Sequence, residues 1–484
     1  MSGLKVLSVA SEVFPLIKTG GLADVAGALP AALAREDVEI RTLVPGYPAV
    51  MAKLVDAQQA HAYDDLFGGP ARVLGGKAAG LDLFAIDAPH LYDRPGSPYL
   101  RPNGLDWPDN AQRFAALARV GADIGLGAID AFRPQVVQAH DWQAALTAAY
   151  LNYADRSRPG VVTTIHNMAF QGHFPMSIFP ELGLPPQAIS IDGIEYFGGV
   201  GYLKAGLRLS DRITTVSPTY AREIMTPEFG MALDGLLRTR AAVVQGIVNG
   251  IDDTVWNPAT DVTLPQNYSA LRIDMRVRNK IALQTQMGLA PEVDRPLLGV
   301  VSRLSDQKGL DLLLQALPGI IARGGQLALL GSGDPLLEGG FTAAATSRPD
   351  SVGCVLGYDE KLAHLIQAGA DFIVVPSRFE PCGLTQLCAL RYGAPPIVAR
   401  VGGLADTVID ANEAATAAGV ATGVQFYPAA VESLTYALNR ALDITRDPAV
   451  LRRLRLNGMR SDVSWRGPAK RYAALYRDII RPAE

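Results

Sequence analysis

Four stretches of this 484-residue chain set charged residues, aromatic residues and glycines where side chains or bare backbone can meet a ligand. In VVSRLSDQKGLDLLLQAL, Arg303 directly follows a strand-like run and Lys308 comes five residues later, immediately before Gly309 and a helical pattern starting near Leu310. Two cations after one strand, beside a helix N-terminus, suit a diphosphate. The guanidinium binds oxygens bidentately, the ammonium adds a point charge and the helix dipole favours an anion. In VVPSRFEPCGLTQLCALRYG, a strand ends at Pro376, Glu380 sits in the loop, and Cys382-Gly383-Leu384-Thr385 leads into a helix. The free N–H groups of that helix suit a second phosphate or sugar hydroxyls, although Glu380 reads equally as an acid that stabilises the helix start. No histidine accompanies Cys382 in the motif, so it reads as non-catalytic, and Cys388 lies on a core-facing helical position. QAHDWQAA and TTIHNMAFQGHF bring His140-Asp141-Trp142 and His166-Asn167 to the ends of two strands. Carboxylate, amide and imidazole groups beside an aromatic ring are a mixture that carbohydrate favours. LIKTGGLADVAGALPAALA places Lys18-Thr19-Gly20-Gly21 in a turn between the first strand and a helix, without the G-x-G-x-x-G spacing of a dinucleotide site.

Those residues all depend on strands that end where they begin. In the first half, strands are expected at Leu4 to Ser11, Val38 to Val44, Leu81 to Asp87, Pro134 to Asp141, Gly160 to His166, Arg212 to Ser217 and Val243 to Gly250. An irregular segment with one helical piece near Ala270 to Met287 follows. The pattern then restarts at Leu297 to Ser302, Leu327 to Gly333, Val352 to Tyr358, Asp371 to Pro376 and Pro395 to Arg400. Strands alternating with helices predict an α/β chain of two Rossmann-like domains with ligands bound at the carboxyl ends of parallel strands. The expected division is residues 1–252, 253–460 and a C-terminal helix in 461–484 that returns to the first domain or caps the second.

Composition narrows the classes. A net charge of −4 without a basic stripe argues against nucleic acid. No uninterrupted apolar run reaches about eighteen residues, and the start lacks a signal-peptide pattern, so no membrane partner is expected. Three cysteines without C-x-x-C fit a reducing compartment, hence a cytoplasmic location, and no structural zinc. D-x-D, P-loop, H-E-x-x-H and G-x-S-x-G motifs are absent. Leaving-group charge is therefore assigned to Arg303 and Lys308, and no metal or cofactor is expected.

With these motifs in place, the chain resembles the bacterial glycogen synthases, ADP-glucose-using relatives of plant starch synthases with the two-Rossmann glycosyltransferase architecture called GT-B, an interdomain cleft included. The likeness runs through KTGGLADV at 18–25, VPGYP at 44–48, HDWQA at 140–144, TIHNMAFQG at 164–172, VNGID at 248–252, DQKGLDL at 306–312, PSRFEPCGLTQL at 376–387, GGLADTV at 402–408 and SDVSW at 461–465. The resemblance implies retaining transfer of glucose from ADP-glucose to the nonreducing-end 4-hydroxyl of an α-1,4-glucan, with release of ADP. It implies that Glu380 binds the transferred glucose, that Arg303 and Lys308 hold the diphosphate, and that Asp141 and His166 contact sugar. It makes Lys18, Gly20, Gly21, Tyr99, Asn249 and Tyr358 donor-binding residues, together with Cys382, Gly383, Leu384 and Thr385, and puts Trp142 and Asn167 on the acceptor side. Asp24 is a family site residue by resemblance and a first-turn helix acid by position. Departures are modest: Ser305-Asp306, Phe170 and Val401 stand where relatives often carry other residues. A sucrose-phosphate or trehalose-type synthase would share Arg303, Lys308 and Glu380 but not KTGGLADV; an idle glucan-binding regulator would have no need of the intact charged set.

Overall fold

A computed structural model describes residues 3–481 and falls into two compact units, one of residues 1–249 with 465–484, the other of residues 250–464. The expected breaks at 252/253 and 460/461 fall instead at 249/250 and 464/465. Ile251 bridges to Ser464 and its N–H donates to the Val463 carbonyl at 2.9 Å, so both connecting segments belong to the second unit.

Unit 1 contains strands β1 (Leu4–Val9), β2 (Val38–Pro45), β3 (Val55–Tyr63), β4 (Ala71–Ala78), β5 (Leu81–Asp87), β6 (Val136–His140), β7 (Gly160–Ile165), β8 (His173–Pro175), β9 (Glu195–Tyr196), β10 (Gly199–Gly201), β11 (Arg212–Thr215) and β12 (Val244–Gly246). Nine of them form one sheet in the order β12-β11-β7-β6-β1-β2-β5-β4-β3; β8, β10 and β9 form a small antiparallel sheet. From β12 to β5 every pairing is parallel, and β4 and β3 add an antiparallel edge that the sequence did not announce. Both faces of the parallel part are covered, so β6 and β7 are buried at every residue and read as almost unbroken apolar runs.

The polar exceptions inside that sheet are paired with one another. Gln138 donates to Thr164 at 2.8 Å, and the Thr164 and Thr214 hydroxyls lie 2.7 Å apart. Tyr476, on the helix Arg466–Asp478, donates its hydroxyl to Gln138. That helix buries Tyr472 and Tyr476 against Leu4, Val6, Val25 and Val162, so the last described helix completes the core of the unit that begins the chain.

Unit 2 contains β13 (Leu297–Val301), β14 (Gln326–Gly331), β15 (Val352–Leu356), β16 (Phe372–Val375), β17 (Pro396–Ala399) and β18 (Val424–Phe426), all parallel, in the order β15-β14-β13-β16-β17-β18. Numbered within the unit, this is 3-2-1-4-5-6, the doubly wound dinucleotide-fold order, with winding reversed between β13 and β16. In unit 1 the same reversal falls between β1 and β6.

Tyr476→Ala is expected to destabilise unit 1 by about 3–5 kcal/mol, the usual cost of deleting a buried large aromatic. Urea unfolding followed by hydrogen exchange of β6 and β7 amides measures it. A change below about 1 kcal/mol would show that the helix adds little to this core.

Candidate active site

The carboxyl ends of β13 and β16 bring together the charged residues of unit 2. Lys308 and Glu380, 72 residues apart in sequence, form an ion pair of 2.6 Å, and the buried Ser377 hydroxyl donates to the same Glu380 oxygen at 2.8 Å. With Gly383, Leu384 and Thr385 they line a small cavity of about 50 Å³. Arg303 is exposed, and its Nη2 lies 3.5 Å from Gln307 Oε1, too long for a firm hydrogen bond. Among the described residues no carboxylate pairs with it, so it is a cation held out at a strand end.

Local backbone explains the shape. Gly309 takes φ +64° before the helix Leu310–Ala322, and a side chain there would strike the Pro376 carbonyl. Gly383 takes φ +74° before the helix Thr385–Arg391, and Gly402 and Gly403 pack onto the backbone of Glu380 and Cys382. Neither helix has a side-chain cap, whereas Asp334, Asp359 and Asp447 cap the helices that begin at Pro335, Glu360 and Pro448. The uncapped N–H groups remain available to an anion or hydroxyl. Cys382 and Cys388 are buried, while Tyr358 is exposed with its hydroxyl 3.3 Å from Glu360.

In unit 1 the carboxyl ends of β1, β6 and β7 carry a linked set. Ser8 Oγ lies 3.1 Å from His140 Nε2, and His140 Nδ1 lies 2.9 Å from His166 Nε2, with the two rings stacked. Among the described residues, Nδ1 of His166 has no hydrogen-bond partner and is the ring nitrogen left for a ligand. Burial lowers His140 to about 3 and, with His140 beside it, holds His166 well below the ordinary histidine range, so both rings are neutral. Asp141 adopts the left-handed conformation at φ +55°, which aspartate tolerates better than most residues. Its Oδ1 accepts the His166 N–H at 2.6 Å and the Asn167 N–H at 3.4 Å. Burial pushes this carboxyl up to about 7, against those two hydrogen bonds and with help from the charge of Glu12.

The KTGG turn is organised by Glu12, a residue that motif reading passed over. Glu12 is almost fully buried and accepts the Thr19 hydroxyl at 2.7 Å, together with the Thr19 N–H and the Tyr99 hydroxyl. Its position three residues beyond β1, at the winding reversal, was the available signal. A Cβ on Gly20 or Gly21 would meet nothing within 4 Å, so no neighbour in unit 1 requires glycine at either position. The space above that backbone is open to a ligand. Lys18 pairs with Asp24 at 2.7 Å, and Asp24 lies in the first turn of its helix.

Three expected contacts take another form. Tyr99 does not present a free hydroxyl, because it is spent on Glu12 and lies 2.9 Å from Ser11. Trp142 is half-buried. Its indole packs among Phe114, Phe174 and Tyr202, and any side chain at Gly172 would collide with it. Asn167 uses its side-chain oxygen to accept the Ala169 N–H. Asn249, by contrast, buries a side-chain oxygen that has no partner among the described residues.

Comparison with known proteins shows the family. A model described as starch synthase catalytic domain matches residues 5–239, and one described as glycosyl transferases group 1 matches residues 287–455, which defines the class as a glycosyltransferase of the GT-B fold. A glycogen synthase of Rhodopseudomonas palustris is 62% identical over 480 residues, covering 99% of each chain, and one of Methylocella silvestris is 61% identical, covering 99% of this chain and all of the relative. The catalytic domain of starch synthase IV from Arabidopsis thaliana, solved with ADP and acarbose, superposes with a TM-score of 0.89 at 33% identity, covering 99% of this chain and 100% of that one. A sucrose-phosphate synthase from Thermosynechococcus elongatus, at TM-score 0.57 and 18% identity over 98% of each chain, shares the fold alone. The chain belongs to the glycogen synthase family.

Because the folded state holds Asp141 neutral to about pH 7 while the unfolded chain ionises it near pH 4, its contribution to stability is full in acid and is lost as pH rises between those values. Asp141→Asn, which keeps the acceptor oxygen, is expected to gain on the native protein across that window, by an amount of order 4 kcal/mol for the whole shift. Urea midpoints of both proteins from pH 4 to pH 8 measure it. A pH-independent difference would show that Asp141 titrates as an ordinary aspartate.

Proposed function

We propose that this glycogen synthase family member transfers glucose from ADP-glucose to the nonreducing-end 4-hydroxyl of an α-1,4-glucan with retention of configuration, releasing ADP. The observation that carries the reading is the Lys308–Glu380–Ser377 cluster beside an exposed Arg303, at the winding reversal of a 3-2-1-4-5-6 sheet. The ADP and acarbose in the solved Arabidopsis relative support a nucleoside diphosphate donor and a glucan acceptor.

In this scheme a donor diphosphate competes with Glu380 for Lys308. The ammonium turns to the phosphate oxygens, Arg303 adds a bidentate contact, and Glu380 is released to accept hydrogen bonds from glucose hydroxyls. Bond breaking builds charge on the departing phosphate, where the two cations and the helix N–H groups stabilise it. The acceptor proton passes to that phosphate as the new bond forms on the same face of the sugar, since no motif supplies an obvious carboxylate nucleophile below the ring. In unit 1, His166 Nδ1 and the protonated form of Asp141 address sugar hydroxyls, and Lys18 with the bare Gly20-Gly21 backbone addresses the donor. The scheme assigns charge neutralisation to protein cations and asks for no metal. Three free cysteines suit a reducing, cytoplasmic setting.

Removing one preorganised charge-stabilising group typically lowers turnover about 10²–10³-fold. Lys308→Ala and Glu380→Gln are each expected to lose at least that much kcat while remaining folded; near-native turnover in either would remove that residue from the mechanism. Labelled glucose should enter glycogen rapidly from ADP-glucose, more slowly from UDP-glucose, and to the same extent with EDTA present. Incorporation that EDTA abolishes would overturn the metal-free assignment. No incorporation from either donor would leave an idle glucan-binding protein as the reading.

A further inference from the structure

Unit 2 has a second, larger cavity of about 860 Å³, open to solvent, at the opposite end of the same sheet. Pro296, Gly324 and Asp371, which line it, immediately precede or lead into β13, β14 and β16. Arg303, Lys308 and Glu380 follow the other ends of β13 and β16. Strands of this length separate the two places by roughly 15 Å.

Seven basic side chains line this cavity against three carboxylates, an excess of four positive charges in a chain whose net charge is −4. Neighbouring carboxylates outside the lining reduce that excess without cancelling it. Asp443 pairs with Arg323 and Arg446, and Glu292 lies 3.6 Å from Arg295, leaving seven cations to five anions. Asp371 is shared by Lys280 and Arg455, each at 2.7 Å, and also accepts the Leu297 N–H at 2.9 Å. Arg452 reaches Asp274 only at 3.8 Å.

Among the described residues Arg276 has no carboxylate partner. It is buried, and its Nε and Nη2 donate to the Tyr268 hydroxyl and to the carbonyls of Tyr392, Gln367 and Ala370. Arg455 Nε is buried without a partner, and among the described residues neither Arg276 Nη1 nor Arg455 Nη1 has a hydrogen-bond acceptor. Burial and the nearby Arg276 push the Arg455 guanidinium down to about 10, the direction expected where positive charge is under-compensated.

We infer that this cavity is a binding site for a small anion bearing two or more phosphate groups, separate from the sugar-donor site. The volume lies within the small-molecule range. Guanidinium forks match phosphate oxygens bidentately, and cations supplied by several different elements need an anion with more than one charged group to span them. Lys280 and Arg455 grip β16 and β13 through Asp371, so a ligand here would contact the amino-terminal ends of the two strands that carry the donor-site residues.

Isothermal titration with inorganic tripolyphosphate in 0.15 M salt, with saturating ADP occupying the donor site, tests this. Binding of one tripolyphosphate per chain is expected. It should weaken about tenfold or more in the double variant Arg446→Glu, Arg452→Glu, because hydrogen bonds between charged groups are each worth roughly a factor of ten. Both residues are more than half exposed, so the variant should fold normally and keep native glucosyl transfer without tripolyphosphate. Absence of binding, binding equal in the double variant, or binding that ADP abolishes would each overturn the site.

Discussion

A parallel sheet that winds outward in both directions from one pair of strands leaves the ends of that pair uncovered, because the crossover connections on either side lead away from it. Everything chemical in this chain follows from that constraint. β13 with β16, and β1 with β6, are the two such pairs, and the residues just beyond them are the charged or unusual ones: Arg303, Lys308 and Glu380 in one unit, Glu12, His140 and Asp141 in the other. The sheet fixes where the backbone stops. The turn glycines then decide how closely the next element can approach.

Apart from the exposed Arg303, what is placed at these ends is polar, largely buried and held by a neighbouring polar group. Lys308 holds Glu380, Glu12 holds Thr19 and Tyr99, and the two histidines hold each other. Each arrangement keeps a reactive group oriented at the cost of a competitor for its ligand. A buried ion pair contributes little net stability, since desolvation offsets its Coulomb energy, but leaving one partner alone is severe. A substrate that replaces one partner with its own charge or hydroxyl avoids that penalty, and a molecule lacking such groups does not. Selectivity can therefore come from pairs already present in the empty protein.

How much of this was legible depended on whether the signal was local. Arg303, Lys308 and Glu380 could be placed because each follows a short apolar run that can only be a buried strand. The contact between the last two could not, since it spans 72 positions and arises from the order of strands in the sheet. β3, with the sequence VDAQQAHAY and mostly exposed residues, lacks the apolar density by which strands are recognised, and β18, though apolar at two of its positions, is only three residues long. Glu12, between Ser11 and Val13, belongs to no motif, although it is the residue that organises the KTGG turn. Trp142 reads as a sugar platform because an aromatic at a strand end often is one; its packing among Phe114, Phe174 and Tyr202 depends on Gly172, thirty residues later, leaving room for it.

The helix that ends the described chain has a consequence for how the protein is made. Unit 2 is encoded as one uninterrupted stretch, whereas unit 1 lacks Tyr472 and Tyr476 until nearly the whole chain has left the ribosome. During synthesis the first half therefore carries an apolar groove over β1, β6 and β7 that only the final helix can fill, while the second half has all its own parts. Of the two units, the one translated first is completed last, and the nascent chain must keep that groove from other hydrophobic partners for the time it takes to add more than two hundred residues.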